Sequence, residues 1–459
     1  MPCAFAEPLL SGSARLHPVD VQAYWMASKV PSDQFLLYCF EGAREPLEST
    51  VRRLRIRSAG IEVLGLRITE VPFGLERPHW TAMDPGTDTI SVHPEPRTWQ
   101  ECLDAVASSF ERQVDPRHTV WHLHLYPNVS GAPACDGPSL VAVLQLSHAA
   151  ADGTLAARTA RELFGTQPVP SRPVTPTAPP APLTAAVAAL TLPVRVVRMA
   201  RAGIRARRDA LRLEEHTASG SVPPPARSRA LTTLDVAPTD RTDLRTIVLP
   251  KSALQFADTS ITVTALTAIS VALQRFLGDS DDASADLAAE VTVARTAAVG
   301  ARNNFGNVGV GLFSAEPDLR TRSRLVAADL AERRARAGHP VSLTARASQN
   351  ETERHVPAFL AAWGVAQFDP TAVPPTVTGN TVVSSVSRGA ADLTLGGGPV
   401  RFTAGFPALS PAMSLTHGVH GIGDTVAISV TSNRAAVPDP DRYEILLRDG
   451  LDDVRAALS

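Results

Sequence analysis

Short apolar runs alternate with helical hydrophobic patterns along the whole chain. Apolar and β-branched runs bounded by turn-forming residues predict β-strands, whereas apolar residues repeating every three to four positions predict helices. Strands are expected at residues 35–40, 121–126, 140–146, 230–235, 290–294, 308–313, 381–386 and 425–431, and helices at residues 99–113, 154–163, 263–277, 322–337 and 441–458. Because both kinds of element occur in each half, we predict an α/β fold class.

A proline-rich segment separates the two halves of this pattern. Composition changes near Gly165, after which TQPVPSRPVTPTAPPAPL holds too much proline for a packed core. We therefore expect an N-terminal domain at residues 1–165, a linker at residues 166–226 and a C-terminal domain at residues 227–459. No membrane-spanning helix is expected, because the longest uncharged stretch, residues 173–194, is interrupted by six prolines.

The end of the linker is expected to form a basic amphipathic helix over residues 193–213. One helical stripe carries the arginines Arg195, Arg198, Arg201, Arg205, Arg208 and Arg212. The other side carries mainly the apolar residues Val196, Met199, Ala200, Ile204 and Leu211. Two interpretations are open. The helix packs its apolar side on the protein and leaves the arginines in solvent, or it lies on an anionic membrane or lipid droplet, where each Arg adds about 1 kcal/mol.

Charge and cysteine content bear on partners and compartment. The chain has 44 Lys and Arg against 46 Asp and Glu, a net charge of -2, so no nucleic-acid partner is expected. The four cysteines Cys3, Cys39, Cys102 and Cys135 show no CxxC spacing, and the first residues lack the pattern of a secretory signal. These features predict a cytoplasmic location.

The segment after the predicted strand at residues 140–146 offers the clearest chemistry. The strand runs into Ser147, His148, three alanines, Asp152 and Gly153, and then into a helix, so His148 is expected at a strand end. An imidazole there can take a proton from a hydroxyl or amine, although a structural histidine is the alternative. Asp152 is expected either to orient the imidazole or to pair with an arginine and fix the loop. Gly153 is expected to permit a turn that other residues avoid.

Other histidine and glycine patterns give weaker indications of a catalytic or metal site. His122 and His124 alternate on a strand with no third ligand at a metal-binding spacing, so we predict a polar strand face and no metal. His417 and His420 are expected in a loop, with a position along the substrate channel as the alternative. The glycine-rich segments match neither a phosphate loop nor a dinucleotide fingerprint. The absence of a GxSxG motif argues against a serine hydrolase.

Several further segments resemble motifs of the same known family as residues 147–153. They are LHPVD at 16–20, VDPRHTVW at 114–121, VTVAR at 291–295, NNFGN at 303–307, TVVSSV at 381–386 and the stretch from 416 to 440. Together they resemble the motifs of the wax ester synthase/diacylglycerol acyltransferase family, a group of CoA-dependent acyltransferases related to condensation domains and chloramphenicol acetyltransferase. The resemblance covers nearly the whole chain.

The resemblance implies two chloramphenicol-acetyltransferase-like domains that meet at a central substrate channel. It implies that His148 is the general base of an O-acyltransferase that uses acyl-CoA as co-substrate and holds no bound cofactor. Arg295 becomes the candidate partner of Asp152 across the two domains, and Asn304 lies in the Asn-Gly segment. A lipid alcohol as acceptor would add a peripheral association with a membrane or lipid droplet to the cytoplasmic location.

Departures from the family pattern leave the substrate open. Ser147 stands where the family has the first histidine of HHxxxDG, and Ser385 stands where it has asparagine. Three functions are therefore considered. The first is transfer to a fatty alcohol or diacylglycerol. The second is condensation or tailoring of a small natural-product alcohol or amine, with a carrier-protein thioester as a further donor. The third is non-catalytic binding on the same fold.

Overall fold

The computed structural model describes residues 15–84, 86–167, 180–239, 241–278, 286–295 and 300–459. Its helices are α1 (Pro18–Met26), α2 (Leu47–Ala59), α3 (Trp99–Ala107), α4 (Gly153–Phe164), α5 (Ala181–Ala218), α6 (Ile261–Leu277), α7 (Leu319–Gly338), α8 (Pro340–His355), α9 (Ala358–Ala366) and α10 (Pro440–Leu458). Its strands are β1 (Gln34–Phe40), β2 (Leu66–Thr69), β3 (His79–Ala82), β4 (Ile90–Val92), β5 (Arg97–Thr98), β6 (Trp121–Ser130), β7 (Ser139–Leu146), β8 (Thr242–Pro250), β9 (Ala288–Ala294), β10 (Phe305–Gly311), β11 (Thr381–Ser387), β12 (Thr394–Leu395), β13 (Gly398–Phe406), β14 (Leu415–Ile422) and β15 (Thr425–Asn433). Most of the proline-rich part of the predicted linker lies outside the described residues.

The first sheet is built mainly from the N-terminal half. Its order is β12-β13-β1-β7-β6-β4, with β5 paired to β6. Strand β7 is buried along its whole length and β1 at every residue after the first, as their continuous apolar sequences require. The predicted strands in this half and the helix at 154–163 are confirmed, whereas the helix predicted over 99–113 ends at Ala107.

The second sheet belongs to the C-terminal half. Its order is β10-β9-β11-β14-β15-β8, and β11 runs parallel to both of its neighbours. Helix α6 packs against α7 and α10, and it is buried continuously from Val263 to Leu273. The predicted helices and most predicted strands of this half are confirmed. The strand predicted at 230–235 is wrong, because these residues form turns outside both sheets.

One segment of the C-terminal half completes the N-terminal sheet. Strand β13 pairs with β1, so that Phe406 lies opposite Phe35 and Gly405 lies opposite Leu36. The same strand packs against β14 and β15 of the second sheet. The sheets therefore do not follow the predicted division at residues 165 and 227, and β13 holds the two halves together where they meet.

Helix α5 is longer than predicted, and its outer face is apolar as well as basic. It runs through Pro193 and packs along α8, with Ala202 and Asp209 buried. Five exposed apolar residues recur at seven-residue intervals, which are Leu183, Leu190, Val197, Ile204 and Leu211. The helix therefore packs on the protein, as the first interpretation expects, but Val196, Ile204 and Leu211 on the side that was expected to be covered stay exposed.

Among the described residues α5 is also the one helix that is long and apolar enough to cross a membrane. Only 17% of the most apolar 18-residue stretch of this helix is buried. The prolines around residues 173–194 had argued against such a helix. Pro182 lies in the first turn, where proline is tolerated, and Pro193 is accommodated in the interior.

Candidate active site

The loop after β7 places His148 at the contact between the two sheets. Ala149, Ala150 and Ala151 are buried, and Asp152 follows them as the N-cap of α4. Close packing of these small side chains holds the loop in one conformation. His148 itself is partly exposed to a cavity. Its predicted position at a strand end is confirmed.

His148 is hydrogen-bonded to Asn303, which lies 155 residues later in the chain. The distance from His148 Nδ1 to Asn303 Oδ1 is 2.9 Å, and Asn303 Nδ2 donates to the backbone carbonyl of His148 at 2.8 Å. The carboxylate of Asp20 accepts from the backbone N–H and from Nδ2 of Asn303, both at 3.0 Å. Asp20 is fully buried and also accepts from the backbone N–H of Arg302. Asp20 therefore fixes Asn303, and Asn303 fixes the imidazole.

This network determines which imidazole nitrogen carries the hydrogen. The Asp20 carboxylate and the His148 carbonyl are both acceptors, so the amide nitrogen of Asn303 must face them and Oδ1 must face the ring. An amide oxygen only accepts, so His148 Nδ1 donates and Nε2 keeps its lone pair. Nε2 has no hydrogen-bond partner within the described part of the chain.

Burial acts on the ionisation of both ends of this network. It lowers the pKa of His148, with a smaller opposing effect from its hydrogen bonds and from the charge of Asp152. Burial also raises the pKa of Asp20 to about 6, against the N–H donors that stabilise the carboxylate. These shifts favour a neutral imidazole and an ionised Asp20 at pH 7, and both states are compatible with the hydrogen bonds of the network.

Asp152 joins the His148 loop to the segment before β10. Its Oδ1 accepts from the backbone N–H groups of Thr154 and Leu155, at 3.0 and 2.8 Å, which caps α4. Its Oδ2 accepts from the backbone N–H of Asn304 at 2.9 Å. Asp152 thus ties the two halves of the chain together through main-chain groups.

Arg295 does not form the predicted ion pair with Asp152. No arginine of the described residues lies within ion-pair distance of that carboxylate, because its oxygens bind backbone N–H groups instead. The guanidinium of Arg295 lies over Gly306, where any Cβ would overlap it. Its backbone N–H donates to the carbonyl of Asn304 at 2.8 Å. The prediction of a charge pair between the domains is wrong.

The other predicted site residues divide according to whether they reach the cavity. Asn304, Gly153 and Ser385 line it, and Ser147 does not. Gly153 has no left-handed backbone conformation, and a Cβ there would make an ordinary contact of 3.7 Å with Val386, so the turn predicted to need glycine is wrong. Ser147 is buried at the end of β7.

Two adjoining cavities lie at the junction of the sheets. The first has a volume of about 870 Å³, and its charged or titratable lining residues are Asp33, His148, Asp152, Glu290, Arg388 and His420. Its apolar lining includes Phe35, Leu36, Val293, Phe305, Phe406 and Met413. The second, of about 770 Å³, shares Ser385, Val386 and Ser387 with the first and is also lined by Lys251. The cavities give the predicted central channel a mixed lining.

His417 and His420 lie on strand β14, whereas a loop was predicted for them. His417 is buried and bonded to Thr381 Oγ1 at 2.9 Å and to Tyr443 OH at 2.8 Å. His420 lines the cavity. The glycines at 418 and 421 made this segment resemble a loop, although it is a strand pairing with β11 and β15.

His122 and His124 lie on a half-buried face of β6. His122 Nε2 is 2.8 Å from Ser91 Oγ, and His124 Nε2 is 3.1 Å from Gln145 Oε1. Within the described residues no group of three or more His, Cys, Asp or Glu side chains is arranged to hold a metal ion.

Asp20 and Asn303 are site residues that the sequence alone did not single out. Both occur in segments that carry the family resemblance, LHPVD and NNFGN, but neither has a spacing that indicates contact with His148. Asp20 is 283 residues away from its partner Asn303, so only the fold brings them together.

Comparisons with known proteins extend over almost the whole described chain. A model described as the wax ester synthase/diacylglycerol acyltransferase catalytic domain matches residues 35–301. A model of the WS/DGAT C-terminal domain matches residues 303–455. A comparison with curated proteins finds no match.

Solved structures share this architecture. The wax ester synthase/diacylglycerol acyltransferase from Marinobacter aquaeolei VT8 aligns with a TM-score of 0.61 at 17% identity, over 96% of this chain and 99% of that one. The starter condensation domain of rhizomide synthetase RzmA, in complex with C8-CoA and Leu-SNAC, aligns with a TM-score of 0.55 at 14% identity, over 99% and 96% of the two chains. These similarities show the two-domain α/β fold. Since the catalytic-domain model alone matches more than half of the residues, the chain belongs to the wax ester synthase/diacylglycerol acyltransferase family of acyltransferases.

Proposed function

We propose that the protein transfers an acyl group from acyl-CoA to an alcohol, with His148 as general base. The observation that carries this proposal is the bond from His148 Nδ1 to Asn303, which leaves the basic Nε2 free beside a cavity of about 870 Å³. A general base must have its lone pair on the nitrogen that meets the substrate, and it must be neutral at working pH. The burial that lowers the pKa of His148 favours that neutral state.

The reaction follows from this base and needs no covalent intermediate. His148 Nε2 takes the proton of the acceptor hydroxyl while the hydroxyl oxygen attacks the thioester carbonyl carbon. The C–O bond forms as the carbonyl oxygen becomes an oxyanion. When the tetrahedral intermediate collapses, the C–S bond breaks and the imidazolium returns the proton to the CoA thiolate. The products are the ester and free CoA, and His148 is neutral again.

Ser385 is the proposed donor to the oxyanion. Its hydroxyl lies at the boundary of the two cavities, and its Oγ is 2.8 Å from Thr262 Oγ1. This hydroxyl pair orients Ser385 before the reaction, and a preorganised donor stabilises developing negative charge at little reorganisation cost.

The second cavity is the proposed site of the CoA moiety. It joins the first at Ser385, and Lys251 supplies a positive charge for the CoA phosphates. Lys251→Gln is expected to raise KM for acyl-CoA up to about fivefold, as for an exposed charge pair. KM for an acyl thioester of N-acetylcysteamine, which has no phosphates, should not change. Steady-state kinetics with both donors measures this.

The chain contains a matched control for that substitution. Its only other lysine, Lys29, donates to the backbone carbonyl of Ala366, away from the second cavity. Lys29→Gln should leave both KM values unchanged. Equal effects of Lys251→Gln on the two donors would place the CoA phosphates elsewhere.

The acceptor class is proposed to be lipidic, on the basis of one exposed surface. This apolar surface consists of Phe73, Trp363 and the stripe of α5 residues Leu190, Val197 and Ile204. The turn Pro72–Gly74, which carries Phe73, contacts both α5 and α9. Phe73 is 90% exposed and Leu190 is 82% exposed. Exposed apolar side chains on elements that pack together favour a lipid or protein contact.

Basic residues flank the apolar surface on the same face of α5. Arg201, Arg205 and Arg208 are exposed, while Arg195 is paired with Glu76 and is not available for a membrane. We predict salt-sensitive binding to anionic vesicles, because exposed charges are screened within about 8 Å at physiological ionic strength. Co-sedimentation at low and high salt checks this.

Three variants test that prediction. Changing Arg201, Arg205 and Arg208 to Gln should reduce binding at low salt, and changing Phe73 and Trp363 to Ser should reduce it at any salt. Changing the exposed residues Arg52, Arg324 and Arg334 to Gln removes the same charge elsewhere and should have little effect. Wild-type protein that stays in the supernatant at low salt would contradict the lipid proposal.

A small-molecule acceptor is the second candidate, and the polar part of the cavity favours it. Glu290, Thr292 and Asn307 are polar residues in the lining of the cavity. Such groups suit a natural-product alcohol or amine as acceptor. The acyl donor would be an acyl-CoA or a carrier-protein thioester. Release of CoA thiol with a fatty alcohol and with a small polar alcohol separates the two candidates. Release with neither acceptor would favour non-catalytic binding.

A further inference from the structure

Arg388 and His420 lie together in the wall of the first cavity, and each is 4% exposed. Val386 in β11 lies opposite His420 in the parallel pair of β11 and β14. Val386 is also the neighbour of Gly153, the first residue of the helix that follows the His148 loop. The pair is therefore one strand away from the candidate catalytic loop.

Gly405 lets these two side chains converge. A Cβ at this position would lie 2.6 Å from Arg388 Nη2 and 3.0 Å from His420 Nε2. Both nitrogens therefore lie beside the same point on β13. Since Gly405 itself lines the cavity, the point is on the cavity wall.

The charge of Arg388 has no carboxylate partner among the described residues. Nη1 donates to Thr403 Oγ1 at 2.9 Å, and the guanidinium lies 5.3 Å from the centre of the Tyr38 ring. Arg388 Nε and His420 Nδ1 are both buried with no hydrogen-bond partner in this part of the chain. A charge buried without a counter-ion is unfavourable, so an anion that enters the cavity would stabilise this arrangement.

The carboxylates of the cavity do not supply this counter-ion. Asp33 accepts from a backbone N–H and from Gln145 Nε2, both at 2.7 Å. Glu290 accepts from two neutral side chains, and Asp152 accepts from three backbone N–H groups. Each is held by neutral donors, and none forms an ion pair with Arg388 among the described residues.

We propose that Arg388 and His420 form a subsite that binds the carboxylate of a substrate lying in the cavity. A guanidinium presents its donors in a planar fork that matches a carboxylate. Burial and the charge of Arg388 lower the pKa of His420, so the pair carries one positive charge at pH 7 and suits a monoanion better than a phosphate dianion. The subsite rests on the proposed function in one respect: the carboxylate would belong to the acceptor or to the acyl chain of that reaction.

Equilibrium binding tests the subsite without any transfer reaction. Octanoate and octanol are matched probes that differ in the carboxylate, and their dissociation constants are measured by calorimetry. Wild-type protein should bind octanoate at least about tenfold more tightly, as charge-assisted hydrogen bonds predict. Equal or weaker binding of octanoate would overturn the proposal with no variant required.

Variants then place the preference at this pair. Arg388→Gln should abolish it, and Gly405→Ala should reduce it by displacing both side chains without removing a charge. Arg401→Gln, on the same strand but paired with Glu41, should keep it. His148→Ala should also keep it, so a failure of the proposed chemistry and a failure of the subsite give different results. A preference that survives in folded Arg388→Gln would overturn the assignment.

Transfer assays with two substrate pairs identify which substrate carries the carboxylate. One pair compares 8-hydroxyoctanoate with octanol as acceptor, and the other compares the CoA monothioester of octanedioate with octanoyl-CoA as donor. In one pair the acid should have a kcat/KM at least about tenfold higher, and Arg388→Gln should remove that advantage. No advantage in either pair would exclude a substrate carboxylate at this subsite.

Discussion

Replacing His148 with alanine is expected to lower acyl transfer by about 10² to 10⁴-fold while the protein stays folded. The imidazole provides the free Nε2 beside the cavity, and Asn303 holds it in the tautomer that accepts a proton. The packing of the loop rests on Ala149 to Ala151 and on Asp152, which the substitution leaves in place. Release of CoA thiol by the purified variant measures the loss, and circular dichroism measures the fold.

A second histidine and the pH profile make this test specific. His122→Ala, on the half-buried face of β6 outside the cavity, should retain activity within a few-fold of wild type. Because burial lowers the pKa of His148, the acid limb of kcat/KM in the wild-type enzyme should lie below pH 6.5. Activity of His148→Ala close to wild type would remove this residue from the mechanism.

Replacing Asp152 with alanine is expected to lower the free energy of unfolding by about 2 to 4 kcal/mol, together with activity. The carboxylate is nearly buried, and it accepts three backbone hydrogen bonds, from Thr154, Leu155 and Asn304. Two of them cap α4, and the third joins the loop to the C-terminal half. Loss of all three leaves N–H groups without partners at the junction of the halves. Urea denaturation measures the change.

Another N-cap separates the effect of capping from the effect of this junction. Asp318 caps α7 through the backbone N–H of Thr321, but it is exposed and joins no second segment. Asp318→Ala should therefore destabilise the protein less than Asp152→Ala. A full loss of activity in Asp152→Ala with an unchanged denaturation curve would indicate instead that Asp152 acts directly on the imidazole.

Local sequence pattern was sufficient for the elements that carry the site. The apolar run at 140–146, followed by small residues and a helical pattern, correctly placed β7, His148 and α4. Burial on both faces makes such a strand apolar throughout, so its pattern does not depend on distant partners. The same reasoning missed β14, where glycines and histidines occupy buried positions beside β11 and β15.

Partners across the chain were not encoded in any local pattern. The sequence and its family resemblance predicted an acyltransferase fold and placed His148 and Asp152 near each other, because seven consecutive residues fix their neighbourhood. Neither the sequence nor the resemblance predicted that Asn303 holds the imidazole, or that Asp152 binds backbone N–H groups in place of Arg295. Backbone N–H groups are present at every residue, so no side-chain motif marks them as partners.

The sequence by itself determined the α/β class, the strand-to-helix loop with its histidine, and the basic character of α5. These depend on periodicity and on contacts between near neighbours. Only the tertiary structure decided that β13 completes the N-terminal sheet, that the apolar stripe of α5 stays exposed, and that Arg388 and His420 converge over Gly405. Each of these arises from pairing or packing between segments far apart in the chain, and such contacts are set by the whole arrangement of strands and helices and leave no period in the local sequence.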